Sequence, residues 1–116
     1  MVIFHNPRCS KSRQTLALLR EAGIEPKVVE YLKTPPTPQE LEHILDLLGM
    51  DPEDIMRRQE ADYKAHFKGR QLDRHDAIRL LTEYPKVIER PIVIVDDRTA
   101  AVCRPPEKVL ELLNCA

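Results

Sequence analysis

The stretch "VIFHNPRCSKSRQTLALLREAGIEPKVVEY", residues 2–31, decides the fold. Its first four residues, Val2 to His5, are β-branched or aromatic at three of four positions and predict a strand over 2–5. "NPRCS" turns the chain. Leu16, Leu19 and Ala22 then recur at helical spacing, and Gly23 marks a C-terminal stop. "KVVEY", residues 27–31, predicts a second strand. A strand, a helix and a strand joined this closely predict a parallel pair with a crossover helix.

Further along, "KTPPTPQE" breaks the pattern. Thr37 with Glu40 three residues on reads as a capping box, with Pro38 at the first helical position. Leu41, Ile44, Leu45 and Leu48 share a face, and Gly49 ends that helix. Asp51-Pro52 predicts another helical segment through "EDIMRRQ", which places Arg57 and Arg58 on a helix. "EADYKAHFKGRQL" is weakly patterned and reads as short helix or loop. Asp73 caps a helix with Ile78, Leu81 and Tyr84 on one face, stopped by Pro85. Strands at 92–95 and 100–103, separated by a polar turn at Asp96-Asp97, predict an antiparallel hairpin. Pro105-Pro106 open a last helix with Val109, Leu110 and Leu113 inward. The order is therefore β-α-β, a helical insert at about 37–85, then β-β-α, in one α/β domain spanning 1–116.

At 116 residues, 42% apolar and 32% charged, the composition fits one soluble globular core. A formal net charge of −1 gives no global field to recruit nucleic acid or an anionic membrane. Any anion site has to be assembled locally. The apolar runs are far short of the ~20 residues of a membrane span. "MVIFH" lacks a signal-peptide pattern, so a cytoplasmic location is expected. Three cysteines, Cys9, Cys103 and Cys115, argue against a disulfide framework.

Cys9 falls at the N-terminal end of the first helix, where unpaired N–H groups and a partial positive charge favour thiolate. Arg8, Lys11 and Arg13 add nearby charge, and Ser10 or Ser12 offers a hydroxyl hydrogen bond. All of these push its pKa below the free value of ~8.5. The competing reading is a buried structural cysteine, but the polar turn residues around it argue for exposure. The pattern is C-x-x-S, because position 12 is Ser. Cys9 can begin a thiol reaction but needs an outside thiol to finish it. A C-x5-R phosphate loop is excluded, because Thr15 stands six residues after Cys9 and Arg13 comes too early. The stretch "HNPRCSKSR" has no glycine, which excludes a P-loop. His5, His43, His66 and His75 show no zinc-ligand spacing, so no metal is expected. Cys103 reads as a packed strand residue, and Cys115 as a residue without a role near the C-terminus. Arg57, Arg58, Arg90 and Arg104 are, taken singly, ordinary arginines.

The segments "IFHNPRCSKSRQTL", "YLKTPPTPQEL", "IMRRQEADYK", "ERPIVI" and "VCRPPEKVLELL" together resemble the glutaredoxin-dependent arsenate reductase (ArsC) family. The resemblance runs along essentially the whole chain and is greatest to short members that end after the last helix. It implies a thioredoxin-like fold, with a four-stranded mixed sheet, flanking helices and a helical insertion, and a cis Pro91. It implies Cys9 as nucleophile, Arg57, Arg90 and Arg104 as oxyanion-binding residues, and His5 and Ser12 as supports for the thiolate. It also implies arsenate as substrate, glutathione as co-substrate and glutaredoxin as partner, in a monomer with no bound cofactor. Long members carry a C-terminal tail with no counterpart in this sequence. Three ionised Arg forks suit an oxyanion of charge near −2. Two alternatives share the same residues. One is a glutathione-linked thiol reductase acting through Cys9 on an organic mixed disulfide. The other is a regulator resembling Spx, which binds RNA polymerase; many of these carry the C-x-x-C switch that Ser12 removes here.

Overall fold

A computed structural model describes the backbone of residues 1–96 and 98–115, and side chains through Leu112. Asp97, and the side chains of Leu113 and Cys115, for which expectations were stated above, lie outside the described residues. The chain forms two bodies, residues 1–34 with 90–116, and residues 35–89.

The first body holds the sheet. Its strands are β1 (Val2–Phe4), β2 (Lys27–Val29), β3 (Ile92–Ile94) and β4 (Ala100–Val102), in the order β2-β1-β3-β4. β1 runs parallel to β2 and antiparallel to β3, and β4 is antiparallel to β3. The sheet is therefore mixed and four-stranded, as the resemblance implies. Each strand is shorter than its sequence pattern, but the pairing continues past the ends. His5 N–H donates to the Val29 carbonyl at 2.8 Å, and Cys103 N–H to that of Pro91 at 2.9 Å.

The register aligns Ile3 with Val93, and Val93 with Ala101. This puts one apolar face under the helices α1 (Ser10–Glu21) and α5 (Lys108–Cys115). Ile3, Leu19, Val93, Cys103 and Val109 are fully buried there, with Leu16 nearly so. Two expectations about helix faces change. Ala22 is exposed, because α1 has already ended beside Gly23, whose φ of +82° suits glycine. Leu110 is exposed as well: Val109 and Leu112, three residues apart, face the core and turn Leu110 outward.

The second body is helical. In α2 (Pro38–Leu48) the Thr37 hydroxyl accepts from Glu40 N–H, and the Glu40 carboxylate reaches back toward Thr37 N–H. That is the expected capping box. α2 buries Leu41, Ile44 and Leu45, while Leu48 is half-buried. α4 (Arg74–Glu83) is capped by the Asp73 carboxylate, which accepts from Asp76 N–H at 2.7 Å. It packs on α2 and buries Ala77, Ile78, Leu80 and Leu81. Tyr84 is only half-buried and ends the helix ahead of a 3-10 turn, Pro85–Val87.

The helix expected through "EDIMRRQ" is a single 3-10 turn, Pro52–Ile55. It stops because Met56 enters an antiparallel bridge with Ile88. Backbone bonds extend that contact on both sides, from Arg57 N–H to Val87 and from Glu89 N–H to Ile55, each 2.7 Å. A non-local pairing thus takes the amides that a helix would have used. The weakly patterned stretch after it forms α3 (Ala61–His66). α3 is tied to the end of α4 by aromatic contacts, with the His66 and Tyr84 rings stacked at 4.1 Å and the Phe67 ring edge-on to Tyr84. Among the described residues, no helix is long and apolar enough to cross a membrane.

Candidate active site

The loop between β1 and α1 is built around Asn6. Its side-chain oxygen accepts from Arg8 N–H at 3.0 Å, and its carbonyl accepts from Cys9 N–H at 3.0 Å. This Asx turn delivers Cys9 to the N-cap position of α1, with extended backbone angles of φ −94° and ψ 121°. The Asn-Pro pair carried that signal, but the sequence reading did not assign Asn6 a part.

Cys9 is 8% exposed, which corrects the expectation of an open thiol. Burial, the largest single influence on it, pushes its pKa up. The backbone N–H of Ser12, the Arg90 guanidinium through charge and hydrogen bonding, and the backbone N–H of Lys11 outweigh that penalty. The net result is a pKa below the ordinary thiol value. The helix N-terminus therefore acts as expected, but the other supports differ from the sequence reading. The cation that acts on the sulfur is Arg90, not Arg8, Lys11 or Arg13. Arg8 and Lys11 are exposed, and Arg13 donates to the Pro7 carbonyl at 2.8 Å.

Ser12 is fully buried, and its hydroxyl is engaged away from the sulfur. Ser12 Oγ lies 2.6 Å from His5 Nδ1 and accepts from Asn6 N–H at 3.1 Å. Ser12 thus serves Cys9 through its amide, while its hydroxyl fixes the loop to His5. Ser10 makes no side-chain hydrogen bond among the described residues and is exposed. His5 is 6% exposed, and its pKa is lowered, first by burial and then by Arg20 and Arg13, against an opposing pull from Glu30.

Arg90 precedes Pro91 across a cis peptide bond, as the resemblance implies, and Arg104-Pro105 is cis as well. Arg90 Nε and Nη1 are buried without a hydrogen-bond partner. Orphaned donors of a charged group are costly in the absence of an acceptor. The exposed Arg104 is linked to the same residue, its Nη1 donating to the Arg90 carbonyl at 3.2 Å. The first body therefore gathers Cys9, Arg90 and Arg104, with His5 and Ser12 supporting the loop.

Arg57 belongs to the second body. It lies between the Met56 bridge and a turn, not on a helix as expected. Its Nη1 donates to Glu60 Oε2 at 3.0 Å and to the Lys86 carbonyl at 3.3 Å. Neither partner was foreseen from sequence. Arg58 is exposed. Cys103 is fully buried, its thiol pushed up to about 12 by burial, as befits a packing residue. Among the described residues, no cluster of His, Cys, Asp and Glu could hold a metal ion.

A mixed sheet with a parallel β1–β2 pair, a lone cysteine at the first helix N-terminus and a cis-proline ahead of β3 define a thioredoxin-like protein of the single-thiol kind. Within that class the chain belongs to the ArsC family, which it matches over residues 4–112. It is 45% identical over 114 residues to the Escherichia coli protein YfgD, an uncharacterized protein, covering 97% of this chain and 95% of YfgD. It is 42% identical over 115 residues to an arsenate reductase of Haemophilus influenzae, covering 97% of this chain and 98% of that protein. The solved structure of an arsenate reductase from Vibrio cholerae superposes with a TM-score of 0.90 at 46% identity, covering 95% of this chain and 94% of that one.

Proposed function

We propose that this chain is an enzyme that reduces arsenate to arsenite, with glutathione and glutaredoxin supplying electrons. The observation that carries the reading is a thiolate-favouring cysteine beside an arginine with two buried, unpartnered nitrogens. Relatives of 42% and 46% identity that bear the name arsenate reductase support it. In this reading Arg90 and Arg104 bind the arsenate oxygens. The Cys9 thiolate attacks As(V), a S–As bond forms, and water or hydroxide leaves. A glutathione thiolate then attacks the Cys9 sulfur. The S–As electron pair passes to arsenic, which departs as As(III), and Cys9 is left as a mixed disulfide with glutathione. Glutaredoxin takes the glutathione and restores the thiol. The requirement for an outside thiol follows from Ser12 in C-x-x-S and from the burial of Cys103.

The test is NADPH oxidation coupled through glutathione reductase, with arsenate, glutathione and glutaredoxin supplied. Wild-type protein is expected to turn over arsenate, and Cys9→Ser to abolish turnover with the thermal midpoint retained. Turnover that survives in Cys9→Ser, or its absence from wild type, overturns the proposal.

A further inference from the structure

Within the first body, Arg90 lies just before β3 and Arg104 just after β4. Ile92 faces Val102 in the antiparallel register, and Cys103 N–H donates to the Pro91 carbonyl at 2.9 Å. Carried one place further, that register sets Arg90 opposite Arg104. Backbone bonding does not follow it there. Pro91 and Pro105 have no N–H to give, and Arg104 N–H turns back to the Val102 carbonyl at 3.1 Å. The Arg104 side chain supplies a donor instead, its Nη1 reaching the Arg90 carbonyl at 3.2 Å. Two successive carbonyls, of Arg90 and Pro91, are thus held by two successive residues, Arg104 and Cys103. Cys103 anchors the arrangement, being fully buried in the sheet core. Arg90 is half-buried, with Nε and Nη1 enclosed, and its guanidinium acts on the Cys9 sulfur.

We infer that Arg104 is a positioning residue for Arg90: by holding the Arg90 carbonyl it fixes the backbone from which the Arg90 guanidinium reaches Cys9. This rests on the reading of Cys9 and Arg90 as one reactive centre. It adds to the oxyanion contact proposed for Arg104 a task performed before any oxyanion arrives. A hydrogen bond from an ionised donor restrains a carbonyl more strongly than one from a neutral donor. The restraint matters because hydrogen bonding weakens with distance and angle, and attraction of charge with distance. Direct action of the Arg104 charge on the sulfur is a separate route, and the two part in a double-mutant cycle. A charge acts whether or not Arg90 is present, whereas positioning acts only through it. Arg104→Gln separates them further, because it keeps side-chain N–H donors and removes the charge.

The readout, on the full-length protein without arsenate, is the pH dependence of alkylation by iodoacetamide, followed on the Cys9 peptide. Labelling of Cys103 in the same peptide map reports any loosening of the fold. Arg104→Ala should raise the Cys9 midpoint by roughly 0.3–1 pH unit, a two- to tenfold loss of thiolate below it, with Cys103 still spared. Arg104→Gln should fall closer to wild type. Arg90→Ala should raise the midpoint as well, and adding Arg104→Ala to it should move the midpoint no further. The inference is overturned if Arg104→Ala leaves the midpoint unchanged, or raises it only together with labelling of Cys103. It is equally overturned if Arg104→Ala shifts the midpoint as much in the Arg90→Ala background as in wild type. Absence of arsenate turnover in wild type, with the expected shifts in place, would overturn the reductase reading and leave the positioning role of Arg104 supported.

Discussion

Cys9 and Cys103 are both buried, yet their thiols are driven in opposite directions. Burial among apolar neighbours pushes Cys103 up to about 12, against a smaller opposing pull from Lys108. Burial opposes ionisation of Cys9 too, but a helix N-terminus and Arg90 more than offset it. Iodoacetamide at neutral pH should therefore label Cys9 and spare Cys103 in the native protein, as read by peptide mapping. The alkylation rate of Cys9 should titrate with a midpoint below that of an ordinary free thiol. Arg90→Lys should move that midpoint upward, and in the coupled assay should lower kcat/KM roughly ten- to a hundredfold, because a point charge replaces a fork. The two thiols also bear on stability with opposite sign. The raised value of Cys103 favours the folded state below the ordinary thiol value, and that advantage is lost as pH climbs toward about 12. Thermal melts of Cys103→Val across alkaline pH should accordingly show a shallower decline than wild type. For Cys9 the depressed value adds stability as pH rises past it, and the gain is absent at lower pH.

The helices of the second body show how local chemistry and distant pairing share control. The capping box at Thr37 and the left-handed Gly49, with φ +65°, bound α2 where the sequence put its ends. Thr37→Ala should cost about 0.5–2 kcal/mol in urea unfolding through the lost cap. Gly49→Ala should cost about 1 kcal/mol, since a side chain resists that φ. The start of α4 at Asp73 was legible for the same reason, a capping side chain in the right place. The segment after Asp51 was not. Its residues suit a helix, but Met56 is claimed by Ile88, 32 residues away (88 − 56), and a local pattern carries no sign of that partner. α5 was legible as a helix but not in its rotation: Val109, Leu110, Leu112 and Leu113 allow more than one buried face, and contact with the sheet core selects Val109 and Leu112.

Across the molecule, the order β-α-β, helical insert, β-β-α could be read from punctuation by Pro, Gly and Asp. The pairing of β1 with β3 could not, because it joins residues about ninety positions apart. The site divides in the same way. The helix N-terminus at Cys9 is a local feature and was legible from residues alone. The approach of Arg90 to the sulfur is tertiary, and only the family resemblance suggested it. The central position of β1 and β3 predicts the exchange behaviour of the whole chain: Ile3 and Val93 amides should exchange most slowly in the sheet, and those of β2 and β4, at its edges, faster.

The juxtaposition of Cys9 and Arg90 also sets a timetable. A ribosome makes the cysteine 81 residues before the arginine (90 − 9), a delay of roughly 4 to 16 seconds at 5–20 residues per second. Throughout that interval the nascent chain has neither β3 nor the guanidinium that helps to lower the thiol. Its cysteine stays closer to an ordinary, mostly protonated thiol. The charge that acts on the sulfur is therefore complete only once synthesis has entered the last quarter of the chain, at Arg90.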